Sequence, residues 1–131
     1  MLGGKHLIRR SLELAMAIDK SFRFSDVRLY SFLASQVDYD YKYSASKRYI
    51  SEEMRLSRRQ IYASIKSLQE KDIIREQLVN GQWTYYLNPY YTRSANKKHT
   101  EELIEIYEAI EPAVPIDPTF RAKCEEHEKT L

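Results

Sequence analysis

The sequence predicts a mostly α-helical protein with one small β-hairpin, and three observations within residues 46–87 support this prediction. Two short amphipathic segments flank a tight turn near Arg55. The second of them begins at a serine and carries a basic side opposite its apolar stripe. Two β-rich runs then follow, joined by Asn80-Gly81. Helix, turn, helix and hairpin in this order predict a winged helix-turn-helix with N- and C-terminal helical extensions.

The chain is long enough for one domain with extensions, since 131 residues can bury one hydrophobic core. Residues 5–18 are rich in helix formers and predict a helix, although residues 12–16 could also be extended. Three prolines between residues 111 and 119 indicate a linker. We therefore expect an N-terminal extension over 1–24, the winged helix-turn-helix over 25–91, a C-terminal helix over 92–111, and a Pro-containing linker with an acidic tail over 112–131.

The first helix of the predicted core follows Phe22-Arg23-Phe24. Ser25 is a candidate N-cap, and Asp26 would lie in the first turn, where a negative charge is favourable. The helix should run to about Gln36. Alternating tyrosines at positions 39–43 then indicate a turn and a short strand that could pair with the hairpin.

The first helix of the motif should begin after Ser46, a plausible N-cap. Ile50 and Met54 are four residues apart, so both should face the core. Leu56 should fill the turn. Arg55 stands where many such turns carry glycine, and it therefore needs a left-handed backbone conformation.

The second helix of the motif should begin at Ser57. The Ser57 hydroxyl can accept from backbone N–H groups in the first turn, and Gln60 completes a capping box. Ile61, Ile65 and Leu68 form the narrow apolar stripe of a helix that buries one side. The sequence thus predicts both the start and the buried face of this helix.

The hairpin is the clearest short-range signal in the chain. Asp72 stands where glycine often ends such a helix, and aspartate tolerates that geometry. Asn80-Gly81 suits a type I′ turn, which needs positive φ at both central residues. We expect Trp83 to pack against the base of the hairpin and not to stack on a ligand.

The exposed face of the second helix is suited to a DNA major groove. Arg58, Arg59 and Tyr62 lie at its N-terminal end, which usually reaches the bases. Arginine can bond guanine bidentately, and Ala63 would let the helix sit deep. The alternative is an ordinary helix with a solvated basic side. The full set of predicted DNA-binding residues is Ser46, Lys47, Ser57, Arg58, Arg59, Gln60, Tyr62, Ala63, Lys66, Asn80, Gly81 and Gln82.

The charge is unevenly distributed along the chain. The net charge is only +2, but residues 1–100 hold 18 Lys and Arg against 10 Asp and Glu, a net charge of +8. Residues 101–131 hold 3 against 9, a net charge of −6. A basic body with an acidic tail favours nucleic-acid binding by the body.

Several segments resemble a known family. They are Leu29-Tyr30-Ser31-Phe32-Leu33, Val37-Asp38-Tyr39-Asp40, the stretch 50–74, and Tyr86-Leu87-Asn88-Pro89-Tyr90-Tyr91. Over residues 25–91 the chain is similar to the RepL-type plasmid replication proteins of Gram-positive bacteria. This resemblance implies a winged-helix core that binds duplex DNA at a plasmid origin and starts replication without cutting the strand. It implies the same helix positions as the binding residues.

The sequence predicts no enzyme. His6, His99 and His127 are far apart, and with the single Cys124 they do not form the cluster of about four ligands that a zinc site needs. A chain with three glycines has no Gly-rich phosphate loop. We expect no catalytic residue, metal or cofactor. We also expect no membrane span, because no run of 18 apolar residues occurs. The lone cysteine and the lack of a signal-peptide core fit the cytoplasm.

Two alternatives to an initiator remain open. A winged-helix transcriptional regulator would use the same groove contacts, and some winged helices bind proteins instead of DNA. The apolar stripe of Leu103, Tyr107 and Ile110 on an otherwise acidic helix predicts a homodimer. In the competing interpretation, this helix packs back on its own core.

Overall fold

The computed structural model describes residues 6–130, which form a mostly α-helical fold with a small antiparallel sheet. The helices are α1 Arg10–Ile18, α2 Phe24–Gln36, α3 Lys47–Met54, α4 Arg58–Glu70, α5 Lys97–Glu108 and α6 Pro118–Glu128. The strands are β1 His6–Ile8, β2 Lys42–Ser44, β3 Ile74–Val79, β4 Gln82–Leu87 and β5 Thr92–Ser94.

The main sheet has the strand order β2-β4-β3, and both pairings are antiparallel. Val79 pairs with Gln82, so Asn80-Gly81 is a two-residue loop with φ of 51° and 77°. Positive φ at both positions is the type I′ geometry that the sequence predicts. The short strand β2, also predicted, pairs with β4 through Tyr43 and Tyr85.

The core lies between α2, α3, α4 and one face of the sheet. Side chains alternate across a strand, so the face that carries Ile74, Tyr85 and Leu87 joins this core. The opposite face carries Arg75 and Tyr86, and it packs against α5. Ile50 and Met54 are confirmed as buried, and Leu29, Leu33 and Val37 are buried beside them.

The N-terminal prediction is corrected in part. Residues 6–8 form a strand that pairs with β5, and the helix begins only at Arg10. Residue 5 lies outside the described residues. A partner strand far along the chain satisfies the backbone here, and helix propensity does not register such a partner. Leu12 and Ala15 of α1 belong to the same core as the motif helices.

The N-cap of α2 also differs from the prediction. The helix begins at Phe24, two residues earlier than a Ser25 cap would allow, and Arg23 is the N-cap residue. The Asp26 carboxylate accepts from the Arg23 backbone N–H at 3.1 Å, which satisfies the helix start without Ser25. Asp26 is fully buried and also accepts from the Ser67 hydroxyl at 3.0 Å.

The turn between α3 and α4 has the predicted geometry. Arg55 has φ 55° and ψ 41°, in the left-handed region. The Ser51 hydroxyl donates to the Leu56 carbonyl at 2.5 Å and so fixes the turn from within. Asp72, after α4, has φ 54°, as predicted for the residue that ends this helix.

The predicted dimer stripe is buried within the chain, so it cannot form a dimer interface. Leu103, Tyr107 and Ile110 are 1%, 3% and 4% exposed. Tyr107 and Ile110 pack with Tyr86 on the second face of the sheet. The competing interpretation, in which the helix packs on its own core, is therefore the correct one. The helix spans Lys97–Glu108, inside the expected range 92–111, and the Asn96 side chain caps its start.

The C-terminal segment adds a last helix, α6, which packs against α1. Cys124 is fully buried there, and burial raises the pKa of its thiol. Within residues 6–130, no helix combines the length and apolar character that crossing a membrane requires.

Candidate nucleic-acid interface

Helix α4 presents two chemically different faces. Ile61, Ile65 and Leu68 are buried, as the sequence predicts. The opposite face carries Arg58, Arg59, Tyr62 and Lys66, all exposed. Sequence reasoning did not identify the polar contacts beneath the helix, where Ser64 donates to Ser25 and Ser67 to Asp26. These bonds join α4 to α2, so the exposed face is held in a fixed orientation.

The cations on this face have no internal partner among the described residues. The salt bridges within residues 6–130 do not include Arg58, Arg59 or Lys66. Tyr62 is 53% exposed beside these cations. Ala63, the next residue, is small and partly buried. Three unpaired cations around an exposed aromatic ring give this surface a capacity to bind anions.

The predicted N-caps Ser46 and Ser57 are confirmed, and both hydroxyls accept hydrogen bonds from their own helices. The Ser46 hydroxyl accepts from the Tyr49 N–H at 3.0 Å. The Ser57 hydroxyl accepts from the Gln60 N–H at 3.1 Å, and the Gln60 side chain accepts from the Ser57 N–H at 3.0 Å. The side chains of Ser46, Ser57 and Gln60 thus make hydrogen bonds at the helix N-termini. Any anion at the start of α4 would meet the remaining backbone N–H groups of the first turn.

Lys47, a predicted DNA-binding residue, forms an ion pair within the fold. Its side chain is only 17% exposed, and its Nζ lies 3.4 Å from Glu76 Oε2. The ammonium also lies 4.2 Å from the Trp83 ring centroid, 5.6 Å from that of Tyr62 and 5.7 Å from that of Tyr85. Lys47 therefore already has a partner within the chain, and its predicted contact with DNA stays a prediction. A partner carboxylate and three rings already surround the charge.

This lysine brings the motif helices and the hairpin together. Tyr62 belongs to α4, Trp83 and Tyr85 to β4, and Glu76 to β3. The sequence contains a signal for the arrangement that sequence reasoning missed. Strand alternation and the Asn80-Gly81 register put Glu76, Trp83 and Tyr85 on one face of the hairpin. That face is the one turned toward α3 and α4.

The tip of the hairpin is exposed, as the predicted contacts at Asn80, Gly81 and Gln82 require. Leu78 pairs with Trp83 just below the tip, and these side chains are 55% and 38% exposed. Because Trp83 contacts Lys47 of α3, it stands on the inner side of the hairpin. The hairpin thus offers a polar tip above a small apolar patch.

Tyr85 lies beneath the site, and its burial changes the pKa of its hydroxyl. Tyr85 is fully buried, and its pKa is raised by desolvation, with a further contribution from the nearby Glu76 carboxylate. It therefore stays neutral beneath Lys47. Among the described residues no group of three or more His, Cys, Asp or Glu side chains is arranged to hold a metal ion.

His99 has a structural position away from this surface. Its Nε2 lies 2.8 Å from the Tyr39 carbonyl, which can only accept, so Nε2 carries a proton. Its ring stacks on Tyr39 with centroids 3.7 Å apart. These contacts attach the start of α5 to the turn before β2.

Comparison with known proteins gives no match: no family model, no curated protein and no solved structure is similar to this chain.

Proposed function

We propose that this chain is a winged helix-turn-helix protein that binds double-stranded DNA. In this proposal α4 enters the major groove and the hairpin tip lies beside the backbone. The observation that carries it is the exposed face of α4, where Arg58, Arg59 and Lys66 have no partner among residues 6–130 while the opposite face is anchored in the core. DNA phosphates supply the anions that such a face requires.

The position of each side chain along the helix assigns its role. Arg58 and Arg59 occupy the first turn, the part of a recognition helix that usually reaches base edges. Lys66 lies about two turns further on, where a cation meets a phosphate. Ala63, with no bulk beyond Cβ, allows the close approach. Gln82 at the hairpin tip can donate to a phosphate or to a minor-groove acceptor.

The resemblance to RepL-type proteins supports a role in initiating replication at a plasmid origin without strand cleavage. Two of the resembling segments are turns in this fold. The Asp38 carboxylate accepts from the Asp40 and Lys42 N–H groups, at 2.9 and 3.3 Å. The Asn88 amide donates to the Asp72 carbonyl at 2.7 Å and accepts from the Tyr90 N–H at 2.9 Å. These segments therefore support a shared fold, and the origin role depends on the target site.

A salt titration with a fluorescent random duplex tests DNA binding. The affinity should fall linearly on a log–log plot, with a slope of about 0.9 per phosphate neutralised. Replacing Arg58, Arg59 and Lys66 together by Gln should reduce both the affinity and that slope. The matched control replaces Arg10, Lys20 and Lys97 by Gln, which changes the net charge equally at exposed positions outside the motif.

The comparison of the two triple variants shows whether the exposed face of α4 is the DNA-binding site. If the control loses as much affinity as the α4 variant, only general electrostatics attracts DNA and the proposed face is not the site. Sequencing the fragments that the protein retains from the total DNA of its host then separates an origin from a promoter. Promoter fragments would favour a transcriptional regulator that uses the same α4 contacts.

One observation favours a second candidate, a protein-interaction module. Leu78, Trp83 and Tyr62 expose apolar surface between the hairpin and α4. Salt-insensitive binding of a protein partner, with no retention of duplex DNA, would select this alternative.

A further inference from the structure

The cavity behind the hairpin, on the side away from α4, has four arginines in its lining. It has a volume of about 200 Å³ and lies between the turn after β4 and helices α5 and α6. Its charged lining consists of Arg9, Arg75, Arg93, Arg121, Asp72 and Glu108. Arg75 forms an ion pair with Asp72 at 3.0 Å. The remaining charged lining residues are three arginines and one glutamate.

Two of these arginines are held in place by one aromatic ring. The guanidinium carbons of Arg9 and Arg121 lie 3.9 and 4.0 Å from the centroid of Tyr90. Arg9 also donates through Nε to the Tyr90 carbonyl at 2.8 Å. A guanidinium that is already fixed loses little conformational entropy when a ligand binds.

The acidic partners of these two arginines leave most of their nitrogens free. Glu128 approaches Arg9 Nη1 at 3.6 Å, and Glu125 approaches Arg121 Nε at 3.3 Å. Neither glutamate lines the cavity. Arg93 is exposed, and within residues 6–130 it has no acidic partner. Among the described residues, several guanidinium N–H groups of the cavity lining therefore make no hydrogen bond.

We propose that this cavity binds a small phosphate monoester. A phosphate monoester carries roughly −1.5 to −2 charges at pH 7, which attracts it to a cavity lined by several guanidinium groups, and its oxygens accept bidentate bonds from such groups. Pro89 and Ile104 supply an apolar wall for the organic part of the ligand.

The surroundings exclude the DNA backbone as the occupant. The α5 residues Glu101, Glu105 and Glu108 are exposed around this side of the molecule. Residues 101–131 carry a net charge of −6, which repels a polyanion. A small ligand can enter a concave site between these carboxylates, whereas a duplex would meet all of them.

Calorimetric titration of the full chain with phenyl phosphate tests the proposal, with inorganic phosphate and phenol as comparison ligands. We expect saturable 1:1 binding that is tighter than that of either comparison ligand. Arg93→Gln should weaken it roughly tenfold or more, since a charge-assisted hydrogen bond is lost. Arg93→Lys should weaken it less. Arg10→Gln is the matched control: it removes the same charge from the exposed residue next to Arg9, outside the cavity, and should leave binding unchanged.

Three results would overturn the proposal: no saturable binding of phenyl phosphate, equal losses in Arg10→Gln and Arg93→Gln, or displacement of phenyl phosphate by a short DNA duplex. Tight binding of inorganic phosphate with no gain from the phenyl group would overturn the monoester assignment. This experiment is independent of the proposed DNA binding. Arg93 lies outside the α4 face, so each proposal can fail without the other.

Discussion

Lys47 Nζ lies 3.4 Å from Glu76 Oε2 and joins the first turn of α3 to strand β3. The two side chains are 17% and 14% exposed, so water screens the pair only partly. The Trp83 ring lies 4.2 Å from the same ammonium group. One charged side chain thus fixes the orientation of the hairpin relative to both motif helices. In the proposed complex this contact sets the angle between the hairpin and the groove.

We expect Lys47→Met to lower the free energy of unfolding by about 2 kcal/mol, because Glu76 would keep a mostly enclosed charge without its partner. Glu76→Gln should cost a similar amount, and the double variant less than the sum of the two. Urea denaturation measures all three. The control is Arg48→Met, which breaks an exposed pair with Glu52 and should cost at most about 0.5 kcal/mol. Additive effects of Lys47→Met and Glu76→Gln would show that the pair does not act as a unit.

The cluster around Arg75 gives a second prediction. Its guanidinium donates to the Ile110 carbonyl at 2.8 Å and to the Asp72 carboxylate at 3.0 Å, so it links the end of α5 to the hairpin. Arg75→Met should raise amide hydrogen exchange throughout α5 while α4 stays protected, because the last turn of α5 loses its anchor. The mass measured by light scattering should be the same for the parent and the variant. Unchanged exchange in α5 would show that apolar packing of Tyr107 alone holds the helix.

The local features that the sequence predicted correctly share a physical basis. The Ser57 cap, the left-handed Arg55 and the Asn80-Gly81 turn are fixed by residues within four positions of each other. The sequence did not indicate contacts whose partner lies far away along the chain. The charge of Lys47 is paired by Glu76, and the stripe that includes Leu103 is covered by the rest of the chain. Local patterns identify an apolar or charged face but not its partner.

The candidate site likewise has a part that local sequence patterns predict and a part that depends on contacts distant in sequence. The exposed face of α4 follows from helical periodicity alone, so Arg59 and Lys66 are found from sequence. The ring cage around Lys47 needs the hairpin register and the packing of the sheet on α3 together. The arginine-lined cavity could not be predicted, because Arg9 and Arg121 meet at Tyr90 only after both ends of the chain have folded back.

The backbone at Arg55 predicts a stabilising substitution. A non-glycine residue at φ 55° has a steric cost of roughly 1–2 kcal/mol, and glycine does not have it. Since glycine also increases the entropy of the unfolded chain, we expect Arg55→Gly to stabilise the fold by about 0.5–1 kcal/mol. Lys66→Gly, at an exposed position within α4, should instead destabilise it by about 1 kcal/mol. Thermal unfolding distinguishes the two signs. Destabilisation by Arg55→Gly would mean that the arginine side chain makes a compensating contact.

Buried tyrosines predict that the fold loses stability in alkali. Burial raises the pKa of Tyr30, Tyr41, Tyr85, Tyr91 and Tyr107 above the ordinary value of 10.0, and for Tyr41 the pKa is about 12. Above pH 10 the unfolded chain therefore binds fewer protons than the native one, so the free energy of unfolding falls as pH rises. The stability that these rings contribute is complete below pH 10. It is lost as the pH rises through their folded pKa values.

Tyr41→Phe isolates one ring in this pH dependence. Between pH 10 and 12 a single such group should contribute a decline approaching about 1.4 kcal/mol per pH unit. The variant should therefore lose stability less steeply than the parent over this range, and the two should have parallel curves below pH 9. Urea denaturation at each pH measures the slopes, and tyrosinate absorbance reports the ionisation itself. Identical slopes would show that the Tyr41 hydroxyl ionises as readily in the folded chain as in the unfolded one.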